Sequence, residues 1–126
     1  MGYIQTETAY YQPQPDANQP FPANAAYGDP GFAAGQDGWG LRVVNSNAVS
    51  VYGTGLYSFF NAYDGTCVNA ADKCQARIFS VENSHVSAFN LVVIGSKKMV
   101  TVDNVDVADM ADNSAGFPSI IAMFRN

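Results

Sequence analysis

Val44-Asn45-Ser46-Asn47-Ala48-Val49-Ser50-Val51-Tyr52 is echoed by Val81-Glu82-Asn83-Ser84-His85-Val86-Ser87-Ala88-Phe89, offset by about 37 residues and with one residue dropped. Each copy reads as a strand, an Asn-rich polar turn and a second strand. Units of this kind cannot bury their apolar face alone and stack on one another to do so. The pattern predicts an all-β chain whose coils form a right-handed parallel β-helix. A β-sandwich is the alternative, because strands separated by turns at regular short spacing suit it as well.

Working outward from the echo, Leu41–Val44, Val49–Gly53, Leu56–Phe60, Arg77–Val81, Val86–Ile94, Met99–Val102 and Ser119–Phe124 read as strands, punctuated by Asn, Ser, Gly and Asp. Residues 1–7 read as a further strand. Between them and Leu41, residues 8–40 hold Pro13, Pro15, Pro20, Pro22, Pro30 and five glycines, with no apolar periodicity. Proline lacks the ladder N–H and fixes φ, so irregular or polyproline structure is expected there. Tyr10, Tyr11, Phe21, Tyr27 and Phe32 argue against plain disorder, which is poor in aromatics. The expected organisation is one incomplete C-terminal β-helix domain over 1–126, with coils over 41–126 and loop 8–40 lying across them.

Composition narrows the function. A net charge of −5 argues against nucleic acid or an anionic membrane surface, which need a basic patch. No apolar run approaches the roughly 20 residues needed to span a bilayer, and no basic-then-apolar signal segment opens the chain. Charged residues make up 13% of the chain, about half the usual share, while Tyr and Phe are frequent. That balance suits an all-β extracellular protein.

Cys67 and Cys74 bracket Val-Asn-Ala-Ala-Asp-Lys. Two thiols and one His without a Cys-x-x-Cys pair are a poor metal set, so a local disulfide closing a turn is the better reading. A disulfide implies an oxidising compartment. Asp103, Asp106, Asp109 and Asp112 recur every third residue, but Val105 and Val107 occupy places where a calcium loop needs oxygen ligands. They read as a solvated edge, and no metal is expected. His85 has no nucleophile pattern nearby. Gly53-Thr54-Gly55 lacks the Lys and helix start of a phosphate loop and reads as a tight turn between coils. Trp39, flanked by Gly38 and Gly40, reads equally as core or as a sugar platform.

The opening run Tyr3-Ile4-Gln5-Thr6-Glu7 supplies the candidate chemistry. In an extended run successive side chains alternate between faces. Tyr3, Gln5 and Glu7 therefore share one face, and Ile4 and Thr6 the other. With Ile4 in a core, a carboxyl group is displayed beside a phenol and an amide, the make-up of a sugar site.

Four blocks then carry a resemblance: Gly-x-Ile-Gln-Thr-Glu-Thr-x-Tyr-Tyr-Gln-Pro-x-Pro-Asp from Gly2 to Asp16, Trp39-Gly40-Leu41-Arg42-Val43-Val44, Val51-Tyr52-Gly53-x-Gly55-Leu56-Tyr57-Ser58-Phe59-Phe60, and Cys74-Gln75-x-Arg77-Ile78-Phe79-Ser80-Val81. In this order they resemble the C-terminal part of fungal exo-β-1,3-glucanases of glycoside hydrolase family 55. The resemblance runs from Gly2 to about Gly95. Ala9 departs from it, standing where the family commonly has Pro.

The resemblance implies tandem parallel β-helices of the pectin-lyase type, secretion, and inverting release of glucose from laminarin-type β-1,3-glucan without a cofactor. Glu7 maps onto the proposed general acid, and Tyr10 matches an aromatic at the substrate. Gln5 and Trp39 are expected to bind substrate beside it. The water-activating carboxylate and the first β-helix, the partner wall of the cleft, are expected upstream of Met1. On that expectation the 126-residue chain is inactive alone.

Overall fold

The computed structural model describes residues 4–7, 24–28, 39–59, 65–69 and 74–126. Its strands are β1 (Ile4–Glu7), β2 (Leu41–Val44), β3 (Val49–Tyr57), β4 (Gln75–Arg77), β5 (Phe79–Glu82), β6 (Val86–Ile94), β7 (Ser96–Val102), β8 (Val105–Asp109) and β9 (Ser119–Arg125). Three short 3-10 helices, Ala25–Tyr27, Thr66–Asn69 and Ala111–Asn113, complete the elements among these residues. The all-β expectation holds. No helix among the described residues is long and apolar enough to cross a membrane.

Two sheets form. One runs β1-β3-β6-β9; the other runs β2-β5-β7-β4, with β8 also on β7. β1, β3 and β6 are parallel to one another, as are β2, β5 and β7, and β4 is parallel to β7. β9 runs antiparallel to β6, and β8 antiparallel to β7. The sheets are therefore mixed, and the expected right-handed parallel β-helix is not what they show. The reversal has a local cause. Asp103 and Asn104 form the two-residue link between Val102 and Val105, which pair, and both take positive φ, 46° and 66°. Two left-handed residues in a row turn a strand straight back on itself.

The sequence echo is physical. Val44 lies opposite Glu82 before the corner, and Val49 opposite Val86 after it. The dropped residue is thus absorbed in the corner, where Asn45 to Ala48 face the shorter Asn83 to His85. Asn45 (φ 48°) and Asn83 (φ 44°) both turn left-handed, and Ala48 (φ 56°) takes up the extra residue. Asn tolerates this conformation better than other side chains do. Ser84 Oγ, buried in the corner, accepts from the Ser46 N–H at 2.9 Å and donates to the Glu82 carbonyl at 2.7 Å.

Val49–Gly53 and Leu56–Phe60, expected as two strands around a Gly-Thr-Gly turn, give instead one kinked strand that ends at Tyr57, and Phe60 lies outside the described residues. Gly53 (φ 62°) sits level with Asn90 (φ 54°) of β6. Each left-handed residue shifts the alternation by one position. Before the kink Val51, Val86 and Ala88 are buried; after it Thr54, Leu56, Leu91 and Val93 are. The core lies between the sheets, with Phe79, Ile78, Val81, Met99 and Val100 from the second sheet meeting these side chains. Arg77–Val81 divides into β4 and β5 at buried Ile78, and Met99–Val102 extends back to Ser96.

Candidate functional site

The strand ends Glu7, Tyr57 and Ile94 lie side by side, because Glu7 pairs with Tyr57 and Tyr57 with Ile94. Gln5 pairs with Gly55, and Gly55 with Val92. After the Gly53 kink the even positions Thr54, Leu56 and Ser58 are buried inside. Gly55 and Tyr57 are the outward register positions, and Gln5 and Glu7 occupy the same two positions on β1. Ile4 and Thr6 pair with Thr54 and Leu56, the core register. The backbone thus puts Gln5 and Glu7 on one face and Ile4 on the other, as the alternation predicts. Tyr10 lies outside the described residues.

The corner beyond these strand ends is tightly built. Ser58 N–H donates to the Ile94 carbonyl at 2.9 Å. A Cβ on Gly95 (φ 76°) would stand 1.7 Å from the Ser58 carbonyl oxygen, so only glycine fits there. The Gly95 carbonyl accepts from the N–H groups of Cys74 and Gln75, at 2.9 and 3.1 Å. Cys74, buried, is disulfide-bonded to Cys67, and no described cysteine is free. The predicted disulfide is therefore present.

Trp39 reaches the neighbouring part of the same corner. Gly40 and Leu41 both donate to the Ile78 carbonyl, and Leu41 pairs with Phe79. Counting back along that register sets Trp39 level with Arg77, which pairs with Lys98. In the uninterrupted turn of chain from β6 to β7, only Gly95, Ser96 and Lys97 separate Ile94, at the level of Glu7, from Lys98. Trp39 is half-buried, and the Arg42 guanidinium lies 5.3 Å from its ring centroid, over one face. That contact gives the ring a structural partner, which a reading from the sequence lacked.

Arg42 connects several pieces. It donates from Nε and from a terminal nitrogen to the two Glu82 oxygens at 2.9 and 2.7 Å, and to the Gly28 carbonyl at 3.0 Å. The turn it reaches is closed by Asn24, whose side chain accepts from Ala26 N–H, and by left-handed Gly28 (φ 69°). Ser80 Oγ donates to Glu82 at 2.7 Å. The Arg42 guanidinium, assisted by the Ser80 hydroxyl, holds the Glu82 carboxyl below the ordinary carboxylate range despite partial burial.

Of the aspartate row, two members lie on β8, a strand not expected from the sequence. Asp106 and Asp109 belong to β8, where Asp106 is bound by Arg77 at 2.7 and 3.1 Å and by Thr101 at 3.1 Å, and Asp109 by Lys98. Arg77 lowers the Asp106 pKa and Lys98 that of Asp109. Among the described residues no three His, Cys, Asp or Glu side chains gather to hold a metal. His85 is exposed; its carbonyl accepts from Val49 N–H and its own N–H donates to the Ser46 carbonyl.

The outward face of the first sheet is aromatic. Tyr52 and Phe89, paired across β3 and β6, stack at 4.9 Å with planes 7° apart, and Tyr52 is half exposed. Met123 of β9 continues the row beside Phe89. Gly55, read from the sequence as part of a tight turn, lies instead within β3, two residues before Tyr57.

No family model matches the chain. It is 42% identical, over 95% of its length, to a glucan 1,3-beta-glucosidase of Cochliobolus carbonum, of which it covers 16%. It is 38% identical, over 99% of its length, to a probable glucan endo-1,3-beta-glucosidase of Arthroderma benhamiae, of which it covers 15%. A non-secreted LysM effector, LysM15, of Penicillium expansum is 34% identical over 99% of the chain, which covers 8% of that protein. The chain thus spans less than a fifth of each of these relatives, and is similar over nearly all its own length to a small part of two proteins named as glucan hydrolases.

Proposed function

We propose that this chain is the C-terminal part of an extracellular, inverting, exo-acting β-1,3-glucan hydrolase of glycoside hydrolase family 55, in which Glu7 is the general acid. The observation that carries this reading is the shared outward register of Gln5 and Glu7 with Gly55 and Tyr57, within a segment similar to glucan hydrolases. On this reading the parallel strands β1, β3 and β6 continue the stack of a β-helix of pectin-lyase type, which β8 and β9 terminate. Glu7 protonates the departing glycosidic oxygen. A carboxylate on the N-terminal β-helix domain, the partner wall, activates water on the opposite side of the sugar, roughly 6.5–9.5 Å away. Gln5, Tyr10 and Trp39 hold the glucosyl unit, and the disulfide suits an oxidising compartment.

Glucose release from laminarin is the test. A version carrying the N-terminal β-helix should hydrolyse it and lose about 10²–10⁴-fold in rate with Glu7→Gln. The 126-residue chain should release none, with or without that substitution. Turnover by the short chain that Glu7→Gln abolishes would place both carboxylates within this sequence and overturn the division of roles. Glucose as the sole early product marks exo action, whereas longer oligosaccharides mark endo action.

A second reading, a glucan-binding β-helix module without chemistry, is supported by the Tyr52–Phe89 stack on the outward face. It predicts that laminarin retards the short chain in affinity electrophoresis and that Tyr52→Ala removes the retardation. Glu7→Gln would leave it unchanged.

A further inference from the structure

We propose that Tyr52 is a distal glucan subsite: its open ring face holds the far part of a β-1,3-glucan chain whose non-reducing end lies at the level of Glu7. The role rests on the reading of this chain as part of a glucan hydrolase, and adds a preference for long substrates to it. Glu7 is level with Tyr57 on the outward register, and Tyr52 stands five residues back along β3. At about 3.3 Å per residue the two levels are at most roughly 16 Å apart. A disaccharide seated at the first level does not reach the second, whereas a longer chain does.

The stack with Phe89 decides which face of Tyr52 is open. The rings lie 4.9 Å apart with planes at 7°, so Phe89, half-buried on β6, covers one face of Tyr52. β1 and β6 flank β3 on opposite sides. The other face of Tyr52 therefore turns to the β1 side, the side of Glu7. Among the described residues β1 begins at Ile4, level with Thr54 and short of Tyr52, and Tyr52 is 51% exposed. Stacking on a half-buried ring sets the Tyr52 rotamer in advance, so a ligand meets a platform whose ordering costs little on binding.

The surface between the two levels is continuous and uncharged. A Cβ on Gly55 would meet Tyr57 Oη at 2.6 Å and Cζ at 2.8 Å, so the Tyr57 ring lies back over Gly55 toward Tyr52. Beside these residues, the register partners on β6 are Phe89, Val92 and Ile94. None of them is charged, in a chain of net charge −5, whereas three ion pairs lie on strands of the other sheet. A neutral polysaccharide fits such a face, because no charged side chain has to lose its water there. β-Linked glucose carries its hydroxyls equatorially, which leaves C–H faces to pack on an aromatic ring.

Laminaribiose and laminarihexaose, compared as substrates of a version carrying the N-terminal β-helix, supply the test. Tyr52→Ala should raise KM for the hexaose about tenfold relative to KM for the biose, equivalent to about 1.4 kcal/mol. Tyr52→Leu, which also removes the flat ring, should act in the same direction and serves if Tyr52→Ala does not fold. Phe89→Leu, which keeps an apolar side chain but takes away the flat backing, should move the ratio less. Met123 lies beyond Phe89 from the open face, so Met123→Ala should not move it. A ratio indifferent to Tyr52→Ala and Tyr52→Leu, or moved as far by Met123→Ala, would overturn the proposal. Should the longer version hydrolyse neither oligosaccharide, calorimetric titration of the 126-residue chain with the hexaose decides. Binding that Tyr52→Ala abolishes and Glu7→Gln leaves intact would uphold the subsite and overturn the hydrolase reading alone. Binding indifferent to Tyr52→Ala, or none at all, would overturn the subsite.

Discussion

Asn83 donates its side-chain amide to Oδ1 of Asn45 at 2.7 Å, joining two left-handed residues stacked at the same corner of successive strand pairs. Asp103, also left-handed, extends the row by accepting the Asn83 backbone N–H on Oδ1 at 2.7 Å. The row is a polar ladder running beside the hydrophobic one. Asn45 and Asn83 stand where the chain passes from one sheet to the other, and Asp103 where β7 turns back into β8 of the same sheet.

Asn83→Ala should cost about 2 kcal/mol, combining left-handed strain of about 1–2 kcal/mol with a lost side-chain bond. Asn83→Gly removes the bond but relieves the strain, and should cost about 1 kcal/mol. Urea denaturation of the two variants checks the order. An equal loss in both would show that backbone conformation contributes little here.

Gly95→Ala and Gly116→Ala separate space from strain. Both glycines have positive φ, but a Cβ at 116 meets nothing within 4 Å, whereas at 95 it strikes the Ser58 carbonyl. Gly116→Ala should cost about 1 kcal/mol. Gly95→Ala should cost about 4 kcal/mol or more and leave little folded chain, as read by circular dichroism and soluble yield.

Thiol titration of the native chain should find no free thiol at Cys67 or Cys74. The loop these residues close is short, so Cys67→Ala with Cys74→Ala should cost roughly 2.5 kcal/mol on the chain-entropy estimate. Two reactive thiols in the native protein would contradict the pairing.

Stability should fall in acid. Glu82, Asp106 and Asp109 are held below the ordinary carboxylate range by Arg42, Arg77 and Lys98. In the unfolded chain such groups titrate near about 4. As pH drops through that value the unfolded state binds more protons than the folded one, so stability declines. The contribution is complete above about pH 5 and is lost as pH falls through the depressed folded-state values. Urea midpoints measured across that range should show the decline, and Arg42→Ala should make it shallower. The pairs Arg77–Asp106 and Lys98–Asp109 are more exposed, so added salt should weaken their share more than that of Arg42–Glu82.

The strands β2 and β6 carry the boundaries that apolar alternation and β-branched residues predict, and the echo between 44–52 and 81–89 anticipated the parallel pairing of β3 with β6. The disulfide was legible too, because two cysteines so close in a chain with one His leave few alternatives. These features are local, or recur locally. Glu7 as a candidate acid came from resemblance together with alternation, and only the face assigned to it meets a structural counterpart, in the register of β1.

Tertiary structure decided the rest. The reversal at Asp103–Asn104 made β8 a strand and turned Asp106 and Asp109 into partners for Arg77 and Lys98. Paired kinks at Gly53 and Asn90 decided which residues of β3 face inward, and alternation counted along either strand alone misses that shift. The contacts of Arg42 with Glu82, Gly28 and Trp39, and the fold-back of Tyr57 over Gly55, depend on register and rotamer. A strand's pattern states which side chains share a face. Which distant strand supplies their neighbours is settled only when sheets assemble, because burial and hydrogen bonding are then satisfied together across the whole chain.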